Sequence, residues 1–216
     1  MPNWCSNSLC LQHEDPKMIA RAAKGFNEGG LLNEFIPVPE ELNETISGSV
    51  GDPVEQELLE AKQIANKKKY GYANWYDFCV GEWGTKWDVG SEGADADVSP
   101  DGKVMSVYFD SAWSPPIAAY EKLQEMGFQV NAYYYEGGMC YAGIYDEHGD
   151  EYYDLSGMDS AEVRDSIPSC LDDTFGISEQ MAEYEAENEE ELTHWYKEGV
   201  EETGLEPHKK VKETND

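Results

Sequence analysis

The sequence is poor in positive charge, in histidine and in long apolar runs, and each shortage excludes something. Fifteen Lys and Arg face 45 Asp and Glu, a formal charge of −30. Nucleic acid and anionic membrane surfaces would both repel such a chain, so direct binding to either is disfavoured. No apolar run approaches the roughly 20 residues that cross a bilayer. The N-terminal segment lacks a basic stretch followed by an apolar one, so no secretion signal is expected and the chain reads as cytoplasmic. His13, His148, His194 and His208 are far apart and show no ligand spacing. The five cysteines are odd in number and scattered, without a C-x-x-C or a Cys/His cluster. Neither a zinc site nor a disulfide framework is therefore suggested. The signatures G-x-S-x-G, P-loop, H-E-x-x-H and G-x-G-x-x-G are absent. The expectation is a chain that is not an enzyme and that carries no cofactor and no metal.

Aromatic and acidic residues are abundant instead. Residues 74–91 hold three of the six tryptophans. Asn74 is placed to cap a short helix. Trp75, Tyr76, Cys79, Val80 and Trp83 recur at helical spacing, and Gly84 suits a left-handed ending. Thr85, Trp87 and Val89 alternate with polar residues, which predicts a strand immediately after the turn. Trp75, Trp83, Lys86, Trp87 and, further on, Trp113 form a candidate structural cluster or apolar pocket. Lys86, the one base in Trp-Gly-Thr-Lys-Trp, is expected to stack on a tryptophan, with anion binding as the alternative.

Read in order, Ser6–His13 predicts a strand, and Asp15-Pro16 opens a helix whose Ile19, Ala22, Ala23 and Phe26 share a face. Leu31–Leu42 reads as extended, because Pro37 and Pro39 bias their predecessors away from helix. Asp52-Pro53-Val54-Glu55 starts a second helix with Val54, Leu58, Ala61 and Ala65 on one face and Lys67–Lys69 at its negative end. Trp87–Val89 and Val104–Phe109 are expected to pair as a long hairpin. Asp97–Gly102 resembles the opening of a calcium loop, but its twelfth position is Tyr108, so a turn is the better reading. A helix from Ile117 to Met126 and strands at Gln129–Tyr135, Met139–Tyr145 and Glu151–Leu155 follow. The tyrosines Tyr133–Tyr135, Tyr141 and Tyr145 suggest an aromatic platform, yet the basic rim that would hold phosphates is missing.

This order predicts an α+β fold, a ferredoxin-like split βαββαβ antiparallel sheet with a helical insertion and an acidic C-terminal helical extension. The expected divisions are residues 1–155, with 31–84 as the insertion, then 156–204 as the extension and 205–216 as a disordered tail. Residues 146–216 carry 23 of the 45 acids and 5 of the 15 bases, a net −18 of the −30. Ser160–Cys170 and Ser178–Glu202 read as helices. On the second, Ile177, Met181, Tyr184, Leu192, Trp195 and Tyr196 form a broken apolar stripe. Glu183, Glu185, Glu187, Glu189, Glu190 and Glu191 crowd between its ends, at a cost of a few tenths of a kcal/mol per like-charged i,i+4 pair. With Asp172 and Asp173 these are the candidate partner-binding residues.

Several segments together carry a family resemblance. They are Met1-Pro2-Asn3-Trp4-Cys5-Ser6-Asn7-Ser8, Ile36-Pro37-Val38-Pro39-Glu40-Glu41-Leu42, Asn74-Trp75-Tyr76-Asp77 with Trp83-Gly84-Thr85-Lys86-Trp87, Phe109-Asp110-Ser111-Ala112-Trp113-Ser114-Pro115-Pro116, and the Ala142-Gly143 strand. In this order they resemble the YubB-like, ferredoxin-like proteins of bacteriophages and conjugative plasmids. The resemblance covers roughly residues 1–155. It implies a ferredoxin-like domain carried by a mobile element, and no catalytic residues. The expected function is a non-enzymatic acidic protein in the host cytoplasm that imitates DNA charge and inhibits a basic nucleic-acid-binding defence or repair protein. The alternative is a domain that binds or sequesters a small molecule or nucleotide in an aromatic pocket around Trp75–Trp87.

Overall fold

The structure, a computed structural model, describes residues 3–91 and 93–203, with side chains to Glu191 and again at Trp195. The chain divides into two compact units, with the boundary between Ser156 and Gly157.

The first unit is α+β. Its elements run β1 (Trp4–Gln12), α1 (Pro16–Asn27), α2 (Leu31–Phe35), α3 (Glu40–Asn43), α4 (Pro53–Tyr70), α5 (Trp75–Glu82), β2 (Asp97–Val98), β3 (Val104–Ala112), α6 (Ile117–Glu125), β4 (Gln129–Glu136), β5 (Tyr141–Asp146) and β6 (Gly149–Asp154). The strands form one six-stranded antiparallel sheet in the order β2-β3-β1-β4-β5-β6. β1 is central: Leu9 pairs with Val107 on one side and Ala132 on the other. Alternation sends Cys5, Asn7, Leu9 and Leu11 to one face, where they are buried. On that face Leu9 and Leu11 share one core with Ile19, Ala22 and Phe26 of α1 and Ala119, Tyr120 and Leu123 of α6. A fully buried Leu or Phe contributes about 1.5–3 kcal/mol, so this layer outweighs any surface ion pair.

Several expectations are corrected. Thr85–Val89 is irregular and forms no strand, so the long hairpin is not there. The strand before β3 is the two-residue β2, with Asp97 opposite Ser106 and Val98 opposite Met105. Residues 84–91 are spent elsewhere. Val89 O accepts from Leu31 N at 3.1 Å, and the Asp88 carboxylate accepts from Leu32 N at 2.7 Å and Asn33 N at 3.0 Å. The loop thus supplies a remote cap for α2, whose own N-cap Gly30 has no side chain to offer.

The stretch Leu31–Leu42 is not extended throughout, because its apolar residues wind into α2 and α3 and bury Leu31, Leu32, Phe35 and Leu42. The prolines only separate the two turns. On α4 the predicted face is outward, with Val54 67% and Leu58 61% exposed, and the buried residues are Leu59 and Asn66. Asn66 decides the rotation: its amide donates to Thr45 Oγ1 at 2.9 Å and to Glu41 O and Ala73 O, which an outward Asn66 would forgo.

The second unit is helical over its described residues. The expected single helix Ser160–Cys170 is two, α7 (Ser160–Ser166) and α8 (Ser169–Phe175). Pro168 forces Ile167 into extended geometry and separates them. Asp159 and Glu162 make a reciprocal capping box on α7. After Gly176, in the left-handed region at φ 62°, α9 (Ile177–Thr203) begins. Of its predicted apolar stripe, Ile177 is buried and Met181 half-buried, while Tyr184 and Trp195 are exposed. The side chains of Leu192 and Tyr196 lie outside the described residues, as does the tail 205–216.

Candidate functional site

Three surfaces bear on function. The first is the tryptophan cluster. Asn74 caps α5 through its Oδ1, which accepts from Asp77 N at 3.0 Å. The helix ends at Trp83, and Gly84 follows at φ 86°, with its carbonyl accepting from Ser114 Oγ. Trp83 is buried and its indole N–H donates to Ile36 O at 3.0 Å. Thr85, also buried, ties the loop to β3 through Ala112 O.

Lys86 extends between two indoles, its Nζ 4.5 Å from the ring centre of Trp87 and 4.8 Å from that of Trp113. Trp4 adds a third indole, 5.8 Å from Trp87. Among the described residues no carboxylate pairs with Lys86. Trp75, Trp83, Lys86 and Trp87 line one hollow of about 350 Å³, together with Asn33 and Asp88. Trp113 is not on it and joins the cluster through Lys86 and through Tyr76, which stands edge-on to both Trp113 and Trp75. Burial pushes the Asp88 carboxyl up, against the pull of the three backbone N–H groups it accepts from.

The second surface is acidic. Glu183, Glu185, Glu187, Glu189, Glu190, Glu191 and Asp173 are exposed. Their duties differ. Glu185 accepts from Ser160 N at 2.8 Å and Ser160 Oγ at 2.7 Å, and so holds α7 to α9. Asp172 is not available to a partner. It is buried, with its two oxygens taken by Ser178 N at 2.7 Å and Ser178 Oγ at 2.6 Å, which caps the first turn of α9. At about 100° per residue, Glu179, Glu183, Glu187, Glu190 and Glu191 fall within a sector of roughly 120°, opposite the face of Ser178, Ala182 and Glu185. Among the described residues none of these carboxylates is in an ion pair.

The third surface is a cleft of about 770 Å³ beside Trp113, with Tyr134, Tyr141, Asp150 and Tyr152 in its walls. In sequence, Trp113 is a candidate residue of the tryptophan cluster, and Tyr134 and Tyr141 figure only in an RNA-type platform. Asp150 reads in sequence as part of a polar hairpin tip and Tyr152 as part of a strand, and neither is a site candidate there. One available signal was Gly143, a glycine inside a strand, which marks the close approach of another group. Among the described residues no cluster of His, Cys, Asp and Glu is placed to hold a metal. No helix among them is long and apolar enough to cross a membrane.

No family model and no curated protein matches the chain. Among solved structures, that of the protein api92 from Yersinia pseudotuberculosis, of the DUF1281 family, is similar with a TM-score of 0.34 at 10% identity. The similarity covers 71% of this chain and 98% of that one, and at so low a score it carries no argument.

Proposed function

We propose that this is a non-enzymatic binding protein of a mobile genetic element, whose acidic helix engages the basic face of a host protein that handles nucleic acid. One observation carries the reading: the outward, unpaired row of carboxylates on α9. From Glu179 to Glu191 the helix rises about 18 Å, so the five carboxylates have a mean spacing of about 4.5 Å along the row, of the same order as the 3.4 Å spacing of charges along one DNA strand. Such a row competes with DNA for a basic groove and suits an inhibitor of a defence or repair factor.

The strand order also supports a ferredoxin-like origin. β2-β3-β1-β4, antiparallel throughout and connected as strand, helices, strand, strand, helix, strand, follows the order expected of a split arrangement, with β5 and β6 lying beyond β4. The YubB-like resemblance of residues 1–155 agrees with this, and the acidic helices are the extension added to it.

The test is a pull-down from host lysate at low and at high salt, with DNA as competitor. The parent should retain a nucleic-acid-binding protein that salt and DNA both release. Reversal of Glu183, Glu187, Glu190 and Glu191 to Lys should abolish retention. Equal retention of the same partner by the reversed variant would sink the proposal.

A second reading rests on Lys86. An ammonium group without a carboxylate partner, set between indoles at the 350 Å³ hollow, suits the phosphate and base of a nucleotide. Tryptophan fluorescence and thermal shift against nucleotides test it. A response that survives Lys86→Met would refute it.

A further inference from the structure

We infer that the 770 Å³ cleft beside Trp113 is a binding site for a small organic cation, an alkylated ammonium group held by tyrosine faces and the Asp150 carboxylate. The inference is independent of the acidic helix, since every residue of the cleft belongs to the first unit.

The cleft is built with care. Tyr134 stands on β4 opposite Gly143 of β5, which in turn stands opposite Tyr152 of β6. A Cβ at position 143 would lie 2.1 Å from the Tyr134 hydroxyl oxygen. The glycine therefore lets the Tyr134 ring cross β5, and its hydroxyl donates to Asp150 Oδ1 at 2.7 Å. Tyr141 stacks on Tyr152 with ring centres 5.4 Å apart and planes at 29°, and stands edge-on to Tyr134 at 6.1 Å. Its hydroxyl donates to Trp113 O at 2.7 Å.

The backbone is held in sparsely populated conformations at this place. Among the described residues the non-glycine positions with positive φ are Trp113, at 70°, and Cys140, at 56°. The first lines the cleft and the second lies between its lining residues Met139 and Tyr141. Strain of this kind persists where the surroundings impose it, and it concentrates at binding sites.

Chemistry selects the ligand. No Lys, Arg or His lines the cleft, and Asp150 is the charged group in it. Tyr134 fixes one carboxylate oxygen. The other, Oδ2, accepts no hydrogen bond among the described residues, and Asp150 is in no ion pair there. An anion would meet this carboxylate and a net charge of −30. A neutral aromatic ligand would stack but would cover the carboxylate without pairing it, which is unfavourable. A cation satisfies both features, because tyrosine faces attract positive charge and the free oxygen meets it directly. Lys86 already covers Trp113, so the cation belongs on the Tyr141–Tyr152 side. The volume falls in the range of small-molecule sites, with room for a larger body behind the ammonium head.

The test uses the full chain, with choline and its neutral isostere 3,3-dimethylbutan-1-ol titrated by calorimetry and by tryptophan fluorescence. Choline should bind saturably, and the isostere at least about tenfold more weakly, a difference of about 1.4 kcal/mol. Asp150→Asn should remove most of that discrimination. Tyr152→Leu keeps apolar bulk without the π face, and it should weaken choline more than the isostere. A folded Asp150→Asn variant with unchanged preference for choline would overturn the inference. So would equal binding of the two probes, or no saturable binding of choline.

Discussion

Gly143→Ala places one methyl group where the fold has no space for it. The added Cβ would lie 2.1 Å from Tyr134 Oη, 2.2 Å from Tyr134 Cζ and 2.7 Å from Glu151 O. Gly143 does not lie in the left-handed region, so the requirement is one of space. Tyr134 is 1% exposed and its ring is rigid, and the Glu151 carbonyl belongs to the neighbouring strand β6, so neither contact yields easily. Overpacking of this kind costs about 1–3 kcal/mol. A displaced Tyr134 also gives up its hydrogen bond to Asp150, worth about 1 kcal/mol net. The sum is about 2–4 kcal/mol, which at a urea slope near 2 kcal/mol/M lowers the midpoint by about 1–2 M. Five of the six tryptophans lie in the first unit, so their fluorescence reports its unfolding. The decisive comparison repeats Gly143→Ala in a Tyr134→Ala background, where most of the penalty should vanish. If the substitution cost the same in both backgrounds, the crossing ring would not be the reason for the glycine, and the reasoning would fail.

Three further outcomes follow from particular contacts. The Lys69 ammonium, and after it the Tyr70 hydroxyl, hold the Glu41 carboxyl at about 2 against an ordinary 4.5. A lowered carboxylate stabilises the fold above its unfolded value and loses that contribution as pH falls, so urea midpoints between pH 5 and 2 should drop less steeply for Glu41→Gln than for the parent. Asp88→Ala removes the acceptor for Leu32 N and Asn33 N and should cost about 1–2 kcal/mol, read by the same urea titration. An unchanged midpoint would show that water replaces the cap. Asp172→Ala leaves the N–H and the hydroxyl proton of Ser178, 3% exposed, without their acceptor, while Arg164 Nε still donates to Ser178 Oγ, a loss of about 1–3 kcal/mol. Helical circular dichroism and limited proteolysis should report it in residues 157–203 while the tryptophan-monitored transition stays in place.

Elements with a strong local signal were legible in the sequence. α1 has Asp15 as its cap, Pro16 at its first position and one clean apolar face, and the predicted Ile19, Ala22, Ala23 and Phe26 are all buried, with Gly25 beside them. α5 begins at Asn74, whose side chain makes the predicted bond. The errors fall where two readings compete locally and a distant contact settles them. Val54 and Leu58 looked like the inner face of α4, but Asn66 finds its partners at Glu41, Thr45 and Ala73, and the helix turns accordingly. Thr85–Val89 alternates like a strand, yet its polar residue Asp88 serves the amides of α2, some 55 residues away. Asp172 reads as one more surface acid until Ser178 is seen to occupy it.

The sequence by itself determined the class of fold, the excess of negative charge and the clustering of acids on one long helix, because these depend on composition and on spacing along one element. Only the tertiary structure decided which carboxylates are free and which are spent. It also decided that Lys86 lies between Trp87 and Trp113, and that Tyr134, Tyr141, Asp150 and Tyr152 line one cleft. The Lys86 grouping depends on where an irregular loop is anchored and the cleft on strand register, and both join residues that no local pattern relates. Tyr134, Gly143 and Tyr152 become neighbours only when β4, β5 and β6 are in place.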